Sequence, residues 1–253
     1  ISTGGASGAG GAFGGSGGAG LGPCSAAGLL LCDDFEGATL NARPSSAPWL
    51  ALGPECGDAT YVTKVDGAQA KSGSQSLLSQ GAKGSNQACA LMADIGMLSD
   101  FWVRTQVRFG AGATFTAHEV TVFELGETKS DDPEVRVGFR GDNSCNPTGV
   151  ELAMTKGLQG EATGCTGFNL VPETWYCFEV HVVKLADKLT GELYIDGAEQ
   201  PYKLHGQDVQ LIEGQPMVPK FLRVGLQTYS SDYSTTPLHL DDIAVGTERI
   251  PCN

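Results

Sequence analysis

Seven arginines stand in this 253-residue chain. Five of them, Arg104, Arg108, Arg136, Arg140 and Arg223, fall on alternating positions of short β-type runs. In Phe101–Phe109, the residues Val103, Thr105, Val107 and Phe109 share one face, and Trp102, Arg104, Gln106 and Arg108 share the other. Likewise Val135, Val137 and Phe139 oppose Glu134, Arg136, Gly138 and Arg140. Tyr176, Phe178, Val180 and Val182 oppose Cys177, Glu179, His181 and Val183, and Leu222, Val224 and Leu226 oppose Arg223, Gln227 and Tyr229. Such alternation marks strands with one buried and one wet face. Arginine forks pair bidentately with carboxylates. A polar face bearing these arginines with Gln106, Glu119, Glu134, Glu179, His181, Gln227 and Tyr229 therefore suits an acidic ligand. The same residues would equally make an ordinary solvated face laced with ion pairs, Arg136 opposite Glu119 for one.

A second group is acidic: Asp33, Asp34 and Glu36 near the start, Asp241 and Asp242 near the end. Several carboxylates offer the hard oxygens that Ca²⁺ takes, although no EF-hand spacing is present. Solvated strand ends of an acidic chain would look the same. A third feature is Glu119-Val120-Thr121-Val122-Phe123-Glu124, two carboxylates on one strand. In a regular strand these two point to opposite faces, and only a bulge would bring them together. Other chemistry finds no support. The four histidines form no zinc pattern, no Gly-x-Ser-x-Gly elbow occurs, and the N-terminal glycines precede no strand-to-helix turn. Trp49, Trp102 and Trp175 read as core, while Tyr229 and Tyr233 in one loop are better placed to stack on a sugar ring.

Charged residues make up 18% of the chain and the formal net charge is −13. A phosphate backbone calls for a surplus of Lys and Arg, so no nucleic acid is expected as a partner. No apolar run is long enough to span a membrane. Ile1 is a poor natural start, and the chain reads as a mature form whose export signal has been removed. Eight cysteines without a CxxC pair read as disulfides made in an oxidising compartment. Pairing neighbours gives Cys24–Cys32, Cys56–Cys89, Cys145–Cys165 and Cys177–Cys252, one of many possible arrangements.

Residues 1–22 are almost entirely Gly, Ala and Ser, which buries too little to offset ordering entropy, so this arm is expected to be a flexible tether. Gly and Ala also permit close backbone approach. Strand addition onto a neighbour would then build a homo-oligomer or fibre through the arm. From residue 23 to 253 the chain alternates short β-type runs with Gly, Pro, Asp and Asn. Strands are expected near 29–35, 61–65, 76–78, 88–94, 101–109, 118–125, 134–140, 149–154, 175–183, 191–195, 221–228 and 238–245, with 203–212 ambiguous. That is an all-β, two-sheet antiparallel sandwich behind a Gly-rich arm.

The order of pieces resembles a known superfamily. Cys32–Gly37 (CDDFEG) opens the domain, followed by Lys71–Leu77 (KSGSQSL), Phe101–Arg104 (FWVR), Trp175–Val180 (WYCFEV), Leu193–Gly197 (LYIDG) and finally Leu240–Gly246 (LDDIAVG). Over residues 24–253 this is similar to the concanavalin A-like lectin/glucanase jelly rolls, and most to secreted bacterial domains of polysaccharide-lyase type. The resemblance implies an extracellular or cell-surface domain whose concave sheet binds polysaccharide. A lyase must neutralise a uronate carboxylate, remove a proton and protonate the leaving oxygen. Arg136 or Arg223 would do the first, His181 or His118 the second, Tyr229 or Tyr233 the third, with Arg104, Gln106, Glu119, Glu179, Gln227 and Tyr233 holding the sugar chain. The Gln-Ile-His and Tyr-Phe-Lys motifs of alginate-lyase-type relatives are missing. The Glu119–Glu124 run looks like the catalytic strand of laminarinase-type glycosidases, with Thr121 where their central Asp stands. In such jelly rolls the first and last strands pair, which would gather Asp33, Glu36, Asp241 and Asp242 around a structural Ca²⁺. Carbohydrate binding, with lyase activity open, is one functional reading; a structural surface or filament subunit assembling through residues 1–22 is the other.

Overall fold

The computed structural model describes residues 23–25, 28–52, 61–81, 90–116, 120–127, 134–141, 148–155, 162–185, 188–201, 209–210, 218–228 and 235–252. These residues form two antiparallel sheets packed face to face. The nine-stranded sheet runs in the order β13 (Ala198–Glu199), β12 (Lys188–Ile195), β11 (Trp175–Lys184), β6 (Asp100–Phe109), β16 (Leu238–Gly246), β4 (Ser76–Gln80), β3 (Val62–Asp66). Here β1 (Leu29–Asp33) also pairs with β16, and β14 (Val209–Gln210) with β12. The seven-stranded sheet runs β10 (Ala162–Cys165), β9 (Gly149–Thr155), β8 (Glu134–Arg140), β7 (Val120–Gly126), β15 (Phe221–Thr228), β5 (Ala90–Asp94), β2 (Leu50–Leu52). No helix occurs among the described residues, and none is long and apolar enough to cross a membrane.

The expected faces of the long strands hold. Phe101, Val107 and Phe178 from one sheet meet Phe123, Val137 and Leu222 from the other in a single core. Alternation produces this directly, because a residue two positions along returns to the same face. The sharp link from β12 to β13 is also legible. Asp196 (φ 50°) and Gly197 (φ 80°) are the two central residues between Ile195 and Ala198. Two positive φ values in succession are what the hairpin turn favoured by Asp-Gly demands. The expectation misses β2, β10 and β13, which are too short to show a period, and β14 falls in the stretch it left ambiguous.

Two strands slip phase. Against β8, Thr121 pairs with Gly138 but Phe123 already pairs with Val137, so β7 carries a bulge at Val122. Against β7, the register of β15 shifts between Val224 and Gln227. Gly225 lies in that interval at φ 137°, a value that favours glycine. The bulged Leu226 amide is not lost: it donates to Ser79 Oγ of β4, across the interior, at 2.9 Å. Opposite the β7 bulge, Gly138 has no space for a side chain, since a Cβ there would lie 1.7 Å from the Val120 carbonyl oxygen.

Of the expected disulfides, Cys24–Cys32 and Cys177–Cys252 are formed. Cys165 is also disulfide-bonded; Cys145, Cys56 and Cys89 lie outside the described residues. Disulfides of this kind form in an oxidising compartment. The arm, residues 1–22, lies outside the described residues as well.

Candidate functional site

The arginines that the sequence puts on polar faces divide between two surfaces. Arg104 and Arg108 stand on β6, Arg136 and Arg140 on β8, Arg223 on β15. The first pair belongs to the nine-stranded sheet and the other three to the seven-stranded sheet. All point away from the shared core, so they occupy opposite outsides of the sandwich. The single groove expected from Arg104, Arg136, His181 and Arg223 together does not exist. Strand alternation tells which face of a strand is polar but not to which sheet the strand belongs.

On the nine-stranded sheet Arg104 fastens the segments that flank β1 and β16. Arg104 is 4% exposed. Its guanidinium donates to the Asp242 carbonyl at 3.3 Å, to the Pro251 carbonyl at 3.5 Å and to the Pro23 carbonyl at 3.4 Å. Burial pulls its pKa down, and Asp242 and Glu179 oppose that shift. Glu179, beside it on β11, is buried and receives Arg249 Nε at 2.6 Å. Arg249 in turn lies over the Tyr194 ring at 4.1 Å and the Trp102 ring at 5.6 Å. His181 stacks on Trp102 with ring centroids 4.3 Å apart, and its two nitrogens meet Asp100 at 2.8 Å and Glu192 at 3.3 Å. Gln106 is buried on the same face. Arg104 and Glu179 hold residues 23 and 249–252 against the sheet, while His181 is tied to Asp100, Trp102 and Glu192. His181 therefore cannot act as base beside Arg136 and Arg223, and Arg104, Gln106 and Glu179 cannot line a groove with them.

The seven-stranded sheet carries a different array. The β7 bulge turns Val120 and Val122 inward before it and Phe123 and Leu125 inward after it, so Thr121 and Glu124 share the outer face. Glu124 stands opposite Arg136 on one side and Arg223 on the other, and it makes an ion pair with Arg223. Arg136 thus faces Glu124, not Glu119. One strand further, Arg140 Nε meets Glu151 Oε2 at 3.3 Å. Glu124, Arg136, Arg140, Glu151 and Arg223 are each at most 5% exposed, although none belongs to the core. Thr121 is equally buried, and its hydroxyl has no hydrogen-bond partner among the described residues. Gln227 is half-buried opposite Thr121. His118, Glu119, Tyr229 and Tyr233 lie outside the described residues. Glu151 and Thr121 were not anticipated. The adjacent apolar pair Val122-Phe123 and the mid-strand glycines Gly138 and Gly225 were the signals of broken alternation.

The acidic group is where first-to-last strand pairing puts it, with Cys32 opposite Ala244 and Asp33 opposite Ile243. Asp33 accepts from the Phe35 amide at 2.8 Å and from the Trp49 indole. Glu36 accepts from the Ser74 and Gln75 amides, both at 2.7 Å. Those two carboxylates close turns. Asp241 is engaged as well, accepting from the Lys71 amide at 2.8 Å, the Ser72 amide at 3.2 Å and the Asp242 amide at 2.8 Å, but it and Asp242 are adjacent and buried together. Burial, with Asp242 next to it, pushes the Asp241 carboxyl up to about 7, and burial raises Asp242 too. Asp242 sits at φ 50° and accepts from Ser72 Oγ at 2.6 Å. Two adjacent buried carboxyls resisting ionisation are a pair that a dication would relieve. The three ligand-type groups that do converge among the described residues are Cys177, Glu179 and Cys252. Their two sulfurs are bonded to each other, which leaves no thiolate for a metal.

The architecture is a jelly-roll-type sandwich of two antiparallel sheets. No family model matches the chain, and no curated protein sequence is similar to it. Solved structures do share the fold. A cellulose-induced protein, Cip1, is 19% identical with a TM-score of 0.63, covering 88% of this chain and 100% of its own. An endo-β-1,4-glucuronan lyase from the fungus Trichoderma reesei is 10% identical, TM-score 0.60, covering 87% and 96%. Domain 4 of AbnA, an extracellular arabinanase from Geobacillus stearothermophilus, in complex with arabinotriose, is 15% identical, TM-score 0.54, covering 87% and 92%. At these identities the likeness is one of fold.

Proposed function

We propose that this protein is an extracellular carbohydrate-binding jelly roll that takes an acidic polysaccharide on the outer face of its seven-stranded sheet. The observation that carries the reading is the buried array Arg223–Glu124–Arg136 with Arg140–Glu151 beside it. Burying charges costs several kcal/mol per ion unless pairing repays it, and an apolar replacement is often no worse for stability. Charges kept on a non-core face therefore point to use by a ligand. Within the buried array three arginines meet two glutamates, in a protein of charge −13. Arginine forks select planar carboxylates such as those of uronates. The fold neighbours add support, one being a glucuronan lyase and one being bound to arabinotriose.

Lyase activity is the finer reading that the glucuronan lyase neighbour favours. Its neutralising cation would be Arg136 or Arg223. With His181 on the other sheet, its base would be His118, just before β7, and its acid Tyr229 or Tyr233, just after β15. Thr121 in place of a central carboxylate speaks against the glycosidase reading. A structural Ca²⁺ would rest on Asp241 and Asp242. The test is calorimetric titration with a polyuronate and with a neutral glucan, followed by assay of the mixture for unsaturated uronate ends. Binding confined to the polyuronate supports the reading, new unsaturated ends add the lyase activity, and equal or absent binding to both polymers removes it.

A further inference from the structure

After β16 the chain turns back over the outer face of the nine-stranded sheet, and Cys252 closes it there with a disulfide to Cys177 of β11. Glu179, two residues along β11, is 0% exposed on the same face. Its Oε1 accepts from the Cys252 amide at 3.3 Å and lies 3.0 Å from Cys252 Sγ. A bonded disulfide sulfur has no proton to give, so this second contact is a buried carboxylate oxygen set against sulfur, not a hydrogen bond.

That placement bears on how the bridge can be opened. In thiol exchange a thiolate attacks one sulfur; a new S–S bond forms there, the Cys–Cys bond breaks, and the other cysteine leaves as thiolate and takes a proton. A second thiol then displaces the first, so two thiols give two electrons to the bridge and leave as their own disulfide. Cys177 is 2% exposed, so attack falls on Cys252 and expels Cys177. The reacting atoms of Cys177, Glu179 and Cys252 all lie within 4.8 Å of one another. The incoming and the departing negative charges therefore both develop beside the buried Glu179 carboxylate, where like charges repel more than in bulk water. Arg249 binds that carboxylate from the exposed side, and Arg104 stands opposite Glu179 on β6, so the repulsion is partly offset.

We propose that Glu179 guards the Cys177–Cys252 disulfide against thiols and so keeps the strap after β16 locked on the sheet. The guard acts by charge, whereas simple anchoring of the strap would act by contact, and two substitutions separate these. Glu179→Gln removes the charge. Arg249→Gln removes a strap contact but leaves the carboxylate less neutralised. The experiment follows reduction of the native protein by dithiothreitol, with alkylation and mass mapping of each bridge; Cys24–Cys32 serves as internal control. The guard predicts that E179Q opens Cys177–Cys252 at least about fivefold faster than wild type while R249Q opens it no faster. Acceleration in both variants would assign the protection to anchoring alone, and an unchanged rate in E179Q would overturn the proposal.

Discussion

The Leu226 amide reaches through the interior of the sandwich to Ser79 Oγ, 2.9 Å away on the opposite sheet. The bond exists because β15 bulges at this point and turns an amide away from its ladder. Ser79 is fully buried, so nothing else is on hand to satisfy that donor. Ser79→Ala is expected to cost about 1–3 kcal/mol, the penalty of a buried unsatisfied group. Denaturant unfolding measures it; a loss within experimental error would mean that the bulge does not depend on Ser79.

Gly138→Ala tests the companion bulge. The added methyl would meet the Val120 carbonyl oxygen at 1.7 Å and the Thr121 Cα at 2.9 Å, both backbone. Overpacking of this kind costs about 1–3 kcal/mol or more, and relief requires β7 to move. The variant should be destabilised and should lose polyuronate binding together, because Thr121 and Glu124 would no longer share one face. Binding retained at wild-type affinity would separate the bulge from the site.

Calcium should raise the thermal midpoint of wild type, and a chelator should reverse the rise, if Asp241 and Asp242 hold the ion. Asp242→Asn should abolish the response, while Glu36→Gln should keep it, since Glu36 is an exposed carboxylate that closes the Ser74–Gln75 turn. A midpoint indifferent to calcium in wild type would mean that Asp241 and Asp242 hold no calcium.

Residues 1–22 bear on assembly. Deleting them should convert any oligomer seen by light scattering to monomer, if strand addition through Gly and Ala links subunits. An unchanged mass after deletion would leave the arm as a tether.

Much of this was legible in the sequence. The runs holding Val103, Val107, Phe178, Val180, Val135 and Val137 revealed their inward faces because period two is enforced by the pleat. Neighbour pairing of Cys24 with Cys32 and of Cys177 with Cys252 was also within reach. What alternation could not convey was which sheet each strand joins. Arg104 and Arg136 look alike locally, yet one ties down Pro23 and Pro251 while the other faces Glu124. Sheet membership depends on long-range pairing, such as β6 between β11 and β16, that no local pattern encodes. The bulge of β7 was visible as Val122-Phe123, a break in alternation.

If the seven-stranded sheet, and not its partner, reads a carboxylate, the arginine fork of Arg223 should matter and that of Arg104 should not. Arg223→Lys keeps the charge beside Glu124, and so spares the fold, but loses the fork. Arg104→Lys makes the same change on the other face. Titration of wild type and both variants with a polyuronate at fixed moderate salt decides the matter. Binding should be at least about tenfold weaker for R223K and at the wild-type level for R104K. Equal affinities in all three proteins, or a loss confined to R104K, would contradict it.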